Sequence, residues 1–211
     1  MHSHHANLKF RPELTHAEIM ALPLGCYEGP IHLIRSPEQL AEALPALQCE
    51  RVLGFDTETR AAFRKGESYP PSLLQFATAS AVWLVQLRGF ITLDGLADLL
   101  GSTPQLKAGV GLDYDLRKLR EHYVFKPAGF VDLAQMSDLA GFRANGLRGL
   151  AAQVLGLRVT KQMKCTNWAR TELTSQQIRY AATDAWVSRE IFLALEKILA
   201  ATPGSFTQPA L

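Results

Sequence analysis

The chain has 211 residues, 47% of them hydrophobic and 20% charged, with a formal net charge of +2. A chain of that length and polarity buries roughly 70% of its unfolded surface and needs no covalent staple; no apolar run approaches the ~18 residues of a membrane span, and the polar opening MHSHHANLKFRPELTHAEIM lacks the apolar segment of a secretory signal. Cys26, Cys49 and Cys165 are widely spaced and form no C-x-x-C pair, which excludes a disulfide framework and a zinc ribbon and suits a reducing, cytoplasmic setting.

The first thirty residues, with Pro12, Pro23, Gly25, Gly29 and Pro30, read as a loop-like N-terminal extension. Its His2, His4 and His5 fit a frayed tail or a tag remnant better than a metal site. IHLIRS reads as a short strand, followed by the helix SPEQLAEALPALQ, opened by Ser36 at the N-cap and Pro37 at the first helical position. Glu50 to Thr59 reads as a strand. After the proline-rich loop ESYPPS, LLQFATA and AVWLVQL read as two short strands joined by a turn near Ser80. ITLDGLADLLG has helical spacing and stops at Gly101; QLKAGVG is a strand, DYDLRKLREHY a helix and GFVDLA a last short strand. Beyond Leu133 the chain reads helical: DLAQMSDLAGF, GLRGLAAQVLG, and a long helix from Thr174 to about Ala200. Strands, then alternating strands and helices, then a helical C-terminal third imply an α/β fold, a mixed sheet flanked by helices in one domain with an N-terminal arm. Trp83 and Trp186 are expected in the core.

Charge is unevenly spread. Between Arg143 and Arg179 there are seven bases against one acid, Glu172, leaving fifteen bases and nineteen acids elsewhere. Such a segment fits a phosphate-bearing partner, and it equally fits a solvated Arg-rich helical face.

Three acidic clusters demand separate explanations. In VLGFDTET, Asp56 and Glu58 are two apart on a strand and present both carboxylates to one face. Two adjacent anions repel, and a structural strand gains nothing from them; a divalent cation such as Mg²⁺ or Mn²⁺, which prefers hard oxygen donors, removes the penalty. In KAGVGLDYDLRKL, Asp113 and Asp115 fall in the first turn of a helix, where acids also serve simply to cap it and complement its dipole. Asp113 suits that role, and Asp115 is placed toward the sheet edge where the first acidic strand ends. In QQIRYAATDAWVSREIF, Tyr180 and Asp184 lie four apart and share a helix face, with Ile178, Ala181, Ala185, Ile191 and Phe192 supplying an apolar packing stripe. A buried Tyr satisfied by a neighbour explains Tyr180 but not Asp184.

Taken together, FDTE, the acid after an aromatic in GLDYD, and Y-A-A-T-D resemble the three motifs of the DEDD 3′–5′ exonuclease superfamily. The Tyr-x-x-x-Asp spacing resembles its tyrosine subclass (DEDDy), since the position of the other subclass's histidine is held by Arg179. The resemblance runs from about Ile31 to Ala200, setting residues 201–211 apart as a tail. It is strongest to the ribonuclease D group and the exonuclease domain of the Werner syndrome helicase, with further matches in PPSLLQFAT, GLRGLAAQVLG and TNWARTELTSQQIRYAATDA. Many relatives carry an Asn a few residues before the second-motif acid, where this chain reads GVGLDYD.

The resemblance implies a ribonuclease H-like fold and two divalent metal ions, Mg²⁺ or Mn²⁺. It implies that Asp56 bridges both ions, that Glu58 and Asp184 complete the water-activating site, that Asp115 holds the second ion, and that Tyr180 orients the attacking water. Phosphodiester hydrolysis needs an activated water, charge neutralisation and help for the leaving oxygen, which two ions ~3.5–4 Å apart supply. The expected partner is single-stranded RNA or DNA with a free 3′ end, degraded to nucleoside 5′-monophosphates. Lys161 and Lys164, with Arg148 and Arg170, would neutralise its backbone. Gln75 would face the terminal nucleotide and Asn167 would bind substrate; Trp168 would stack on substrate or, preferably, pack against a helix.

Three other readings stay open. One is an exoribonuclease specialised for very short oligonucleotides or dinucleotides. Another is a catalytically silent nucleic-acid-binding module, against which the presence of all four acids and the Tyr counts. The last is a haloacid-dehalogenase-like phosphatase, which wants Asp where Glu58 stands and does not account for Tyr180 and Asp184.

Overall fold

The structure is a computed structural model and describes residues 13–161, 163 and 165–201. The three N-terminal histidines, Pro12, Lys164 and nearly all of the C-terminal tail lie outside the described residues. In chain order the elements are α1 (His16–Ala21), β1 (Ile31–Ile34), α2 (Pro37–Gln48), β2 (Val52–Thr59), β3 (Pro71–Ala77), β4 (Val82–Gln86), α3 (Leu96–Gly101), β5 (Leu106–Gly109), α4 (Leu112–Arg120), β6 (Phe130–Asp132), α5 (Leu133–Leu139), α6 (Leu147–Leu150), which runs on as a π-helical turn at Ala151–Leu155, and α7 (Ser175–Ala200). Local chemistry starts the main helices, as expected for α2. The Ser36 hydroxyl accepts from the Gln39 amide to open α2, and Thr174 and Gln177 form a reciprocal capping box at the start of α7.

One expectation fails. The N-terminal segment is not all loop, because Thr15 and Glu18 form a capping box that starts α1. The T-x-x-E signal was present in THAE, but six residues with no fully buried side chain leave little apolar periodicity to notice. The segment is also pinned. Gly25 N–H donates to the Arg158 carbonyl and Arg158 N–H to the Pro23 carbonyl, both at 2.9 Å, and Tyr27 N–H donates to the Thr183 hydroxyl on α7 at 3.0 Å.

The six strands form one mixed sheet in the order β1-β4-β3-β2-β5-β6. The β2–β3 and β3–β4 pairs are antiparallel; β1–β4, β2–β5 and β5–β6 are parallel. Strand alternation divides the side chains between two cores. Leu53, Phe55, Leu74, Phe76 and Val85 face α2, α3 and α4, whereas Val52, Leu73, Ala77, Leu84 and Ala108 face α5, α6 and α7. Trp83 stacks on His32 with centroids 4.1 Å apart at the first core, and Trp186 packs at the second. All three cysteines are free. Among the described residues, no helix is long and apolar enough to cross a membrane.

The contact that positions the site is between β2 and α7. Gly54 faces the helix, and any Cβ there would run into the Ala185 carbonyl and the Arg189 backbone. Arg189 secures the seat, its Nε donating to the Val52 carbonyl at 3.3 Å and its guanidinium pairing with Glu50 at 3.4 Å. Gly54→Val is therefore expected to lower stability by about 3 kcal/mol, at or beyond the usual upper range of overpacking. Thermal or urea unfolding checks this, and a variant as stable as wild type would refute the close seat.

Candidate active site

Because Gly54 faces α7, strand alternation turns Asp56 and Glu58 to the same side. Each step of two strand residues advances about 6.7 Å, and four helical residues advance about 6 Å. With Gly54 against Ala185 and Arg189, and α7 running opposite to β2, that match carries Asp56 alongside Asp184 and Glu58 alongside Tyr180. Electrostatics agree. Burial raises the Tyr180 hydroxyl far above its ordinary pKa, the charges of Asp184 and Glu58 raise it further, its hydrogen bond to Asp184 adds to the rise, and only Arg148 on α6 opposes. Glu58, Tyr180 and Asp184 thus converge, with relative exposures of 8%, 9% and 6%, so the two carboxylates have little bulk water to screen them. A register irregularity between Glu58 and Thr59 lies at the same end of β2, where bulges commonly re-aim side chains.

Asp56 is half-buried, and its Oδ1 accepts from the Thr57 amide at 2.8 Å. Asp115 comes from the helical layer on the other face. It sits in the first turn of α4, half-buried, while Asp113 is exposed and makes no cap. Burial pushes the Asp115 carboxyl up, and the Thr57 hydroxyl nearby partly offsets this without reaching full hydrogen-bond geometry. The structure therefore joins Glu58, Tyr180 and Asp184, carries Asp56 on the same strand face, and brings Asp115 to β2 beside Thr57. Among the described residues, no three His, Cys, Asp or Glu side chains close into a group able to hold a metal ion. The donor set nonetheless fits one class of cation. Four carboxylates, with neither imidazole nor thiolate at these positions, are hard oxygen donors suited to Mg²⁺ or Mn²⁺ rather than to zinc or copper.

One expected substrate contact is corrected. Gln75, cross-strand from Asp56, is completely buried, with both amide atoms unpartnered among the described residues, so it cannot touch a terminal nucleotide. Trp168 is also completely buried, packed on the Tyr180 ring with centroids 6.1 Å apart. It therefore packs against α7 and fixes the tyrosine, the preferred of its two expected roles. Lys161 and Asn167 are exposed. Sequence reasoning missed Thr57, hidden inside the DTE motif, and missed that the charge of Arg148, grouped with the backbone-neutralising bases, acts on the Tyr180 hydroxyl.

Asp56 and Glu58 on the central strand β2, Asp115 on α4, and Tyr180 and Asp184 on α7 make up the candidate site of this mixed-sheet α/β domain. Comparison with known proteins gives the family. Residues 31–200 match the 3′-5′ exonuclease domain family. The chain is 34% identical over 194 residues to the human exonuclease mut-7 homolog, covering 78% of this chain and 22% of that protein. It is 28% identical over 167 residues to ribonuclease D of Haemophilus influenzae, covering 78% and 41% respectively. The chain thus spans less than half the length of either relative. Among solved structures, the Nibbler EXO domain of Aedes aegypti superposes with a TM-score of 0.75 at 24% identity, over 85% of this chain and 93% of that one. Brucella melitensis NrnC bound to pGG superposes with a TM-score of 0.68 at 21% identity, over 82% and 83%. These likenesses confirm the ribonuclease H-like fold. The chain belongs to the 3′–5′ exonuclease family.

The raised Asp115 pKa gives a pH signature in the metal-free protein. The unfolded chain holds that proton less tightly than the folded one, so this group's contribution to stability is full below the unfolded value of about 4 and is lost as pH rises through the folded value. In EDTA, Asp115→Asn should melt above wild type at pH 7, with the gap closing in acid. A variant melting below wild type at pH 7 contradicts the assignment.

Proposed function

We propose that the chain is a metal-dependent exonuclease of the tyrosine subclass that removes nucleoside 5′-monophosphates from the 3′ end of single-stranded RNA or DNA. The observation that carries this reading is the convergence of Glu58, Asp184 and the Tyr180 hydroxyl in one nearly dry site. Asp56, Glu58, Asp115 and Asp184 would hold the divalent ions, Mg²⁺ or Mn²⁺, which when bound supply an activated water and neutralise charge on the phosphoryl oxygens. Water attacks the terminal phosphorus and the bond to the 3′-oxygen breaks. The shortened strand keeps a 3′-hydroxyl and the released nucleotide keeps the phosphate.

The chain's own groups set the geometry of that step. Tyr180 stays protonated at neutral pH, because burial and two carboxylates hold its pKa far above 10. It is therefore a donor and a positioning group, not a base. Trp168 braces its ring, and Arg148, whose charge acts on the Tyr180 hydroxyl, would help to neutralise the substrate backbone. The exposed Lys161 and Asn167 would meet the strand's backbone, giving affinity without sequence reading. A second reading, specialisation for very short oligonucleotides or dinucleotides, is favoured by the likeness to NrnC bound to pGG across most of both chains.

A 5′-labelled single strand with Mg²⁺ or Mn²⁺ is expected to shorten as a ladder from its 3′ end, with EDTA, Asp56→Ala and Asp184→Ala each abolishing the ladder. Tyr180→Phe should lower kcat about a hundredfold with little change in KM, the cost of a misplaced reacting group. An intact oligonucleotide alongside phosphatase activity on small monoesters would overturn the reading.

A further inference from the structure

Family membership begins at residue 31, yet the segment before it helps to build a cleft beside the candidate active site. Glu13, His16, Ile19 and Met20, on and before α1, form one wall of a cavity of about 710 Å³. The opposite wall comes from residues 144–149 with Gln153, and from the stretch 158–161. That volume falls within the ~300–1,000 Å³ of sites that enclose small organic ligands, nucleotides among them. Three cations line it, Arg148, Arg158 and Lys161, against one carboxylate, Glu13. None of the three cations makes an ion pair among the described residues, and the buried Arg158 Nε has no hydrogen-bond partner there. Arg148 lines the cleft, and its charge acts on the Tyr180 hydroxyl of the candidate active site.

The α1 wall is held in place from within the fold. The backbone exchange of Pro23 and Gly25 with Arg158 ties the segment to the very stretch that carries the cations. The bond from Tyr27 to Thr183 ties it to α7, one residue before Asp184.

We infer that the N-terminal segment is a working part of the substrate site. The cleft between α1 and the α6 region takes the phosphates of the single strand that precede the scissile bond, led away from Tyr180 past Arg148 toward Lys161 and Arg158. This rests on the exonuclease reading for which end of the strand is held, while the binding itself can be measured without cleavage. Met20 is suited to the test because it lines the cleft, is 52% exposed, and belongs to none of the groups placed in the chemistry.

Wild type, Met20→Glu and Met20→Lys, all checked for unchanged melting temperature, would be titrated in EDTA against a fluorescent single-stranded decamer and against a dinucleotide. Met20→Glu is expected to weaken decamer binding about two- to fivefold and Met20→Lys to tighten it by a similar factor, the scale of one exposed charge contact. Both effects should shrink between about 50 and 200 mM salt, and dinucleotide affinity should not change. Equal decamer affinity in all three proteins overturns the inference, and so does an equal shift for decamer and dinucleotide. Failure of the wild-type protein to shorten the decamer once Mg²⁺ is added would count against the exonuclease reading alone and would leave the binding result standing.

Discussion

Everything at the candidate site depends on how closely α7 lies on β2. Gly54 removes the one Cβ that would hold the helix off the sheet, so the Ala185 carbonyl sits directly over the strand backbone. Strand and helix then advance by nearly equal amounts, about 6.7 Å and 6 Å per step, and the acids of one fall beside those of the other. A separation set by a larger residue at position 54 would leave the same four carboxylates in the sequence but would pull Asp184 and Tyr180 away from Asp56 and Glu58. The alanines around Asp184 serve the same end: Ala181, Ala182 and Ala185 are all completely buried and keep the helix surface low against the sheet.

That close seat has an electrostatic cost. Burying Glu58 and Asp184 near one another denies their charges water and sets them against each other. The Tyr180 hydroxyl shares that burden: its own burial raises its pKa first, and the charges of Asp184 and Glu58 raise it further. Hard divalent cations on these hard oxygen donors would relieve it and would create the field that phosphodiester hydrolysis requires. The same crowding explains why Tyr180 serves as a donor: a phenol surrounded by carboxylates keeps its proton.

Much of this was legible in the sequence because it rests on local periodicity. The strand ending in DTE, the helix carrying Tyr180 and Asp184, and the capping signal of α2 all follow from spacing within a few residues. What could not be read depends on the third dimension. Gln75 looked available for substrate because polar side chains on a strand commonly are, and only the packing of the sheet shows it to be completely buried. Lys107 gives no hint of burial within KAGVG, yet its ammonium is fully enclosed, donating to the carbonyls of Leu99, Ser102 and Gln105 at 3.1, 2.7 and 2.9 Å, while burial pulls its pKa down to about 8. The N-terminal segment reads as a tail for a similar reason. Its partners, Arg158 and Thr183, are more than 130 residues away in the chain.

The central claim is that the carboxylates crowded between β2 and α7 form a cation site. The most direct measurement is anomalous diffraction from crystals grown with Mn²⁺. The account predicts manganese peaks at coordination distance, about 2.1 Å as for other small hard divalent cations, from carboxylate oxygens of Asp56, Glu58 and Asp184, with a further peak approached by Asp115. Crystals saturated with Mn²⁺ that show no peak among these residues, with the carboxylates satisfied by protons and protein hydrogen bonds alone, would contradict it.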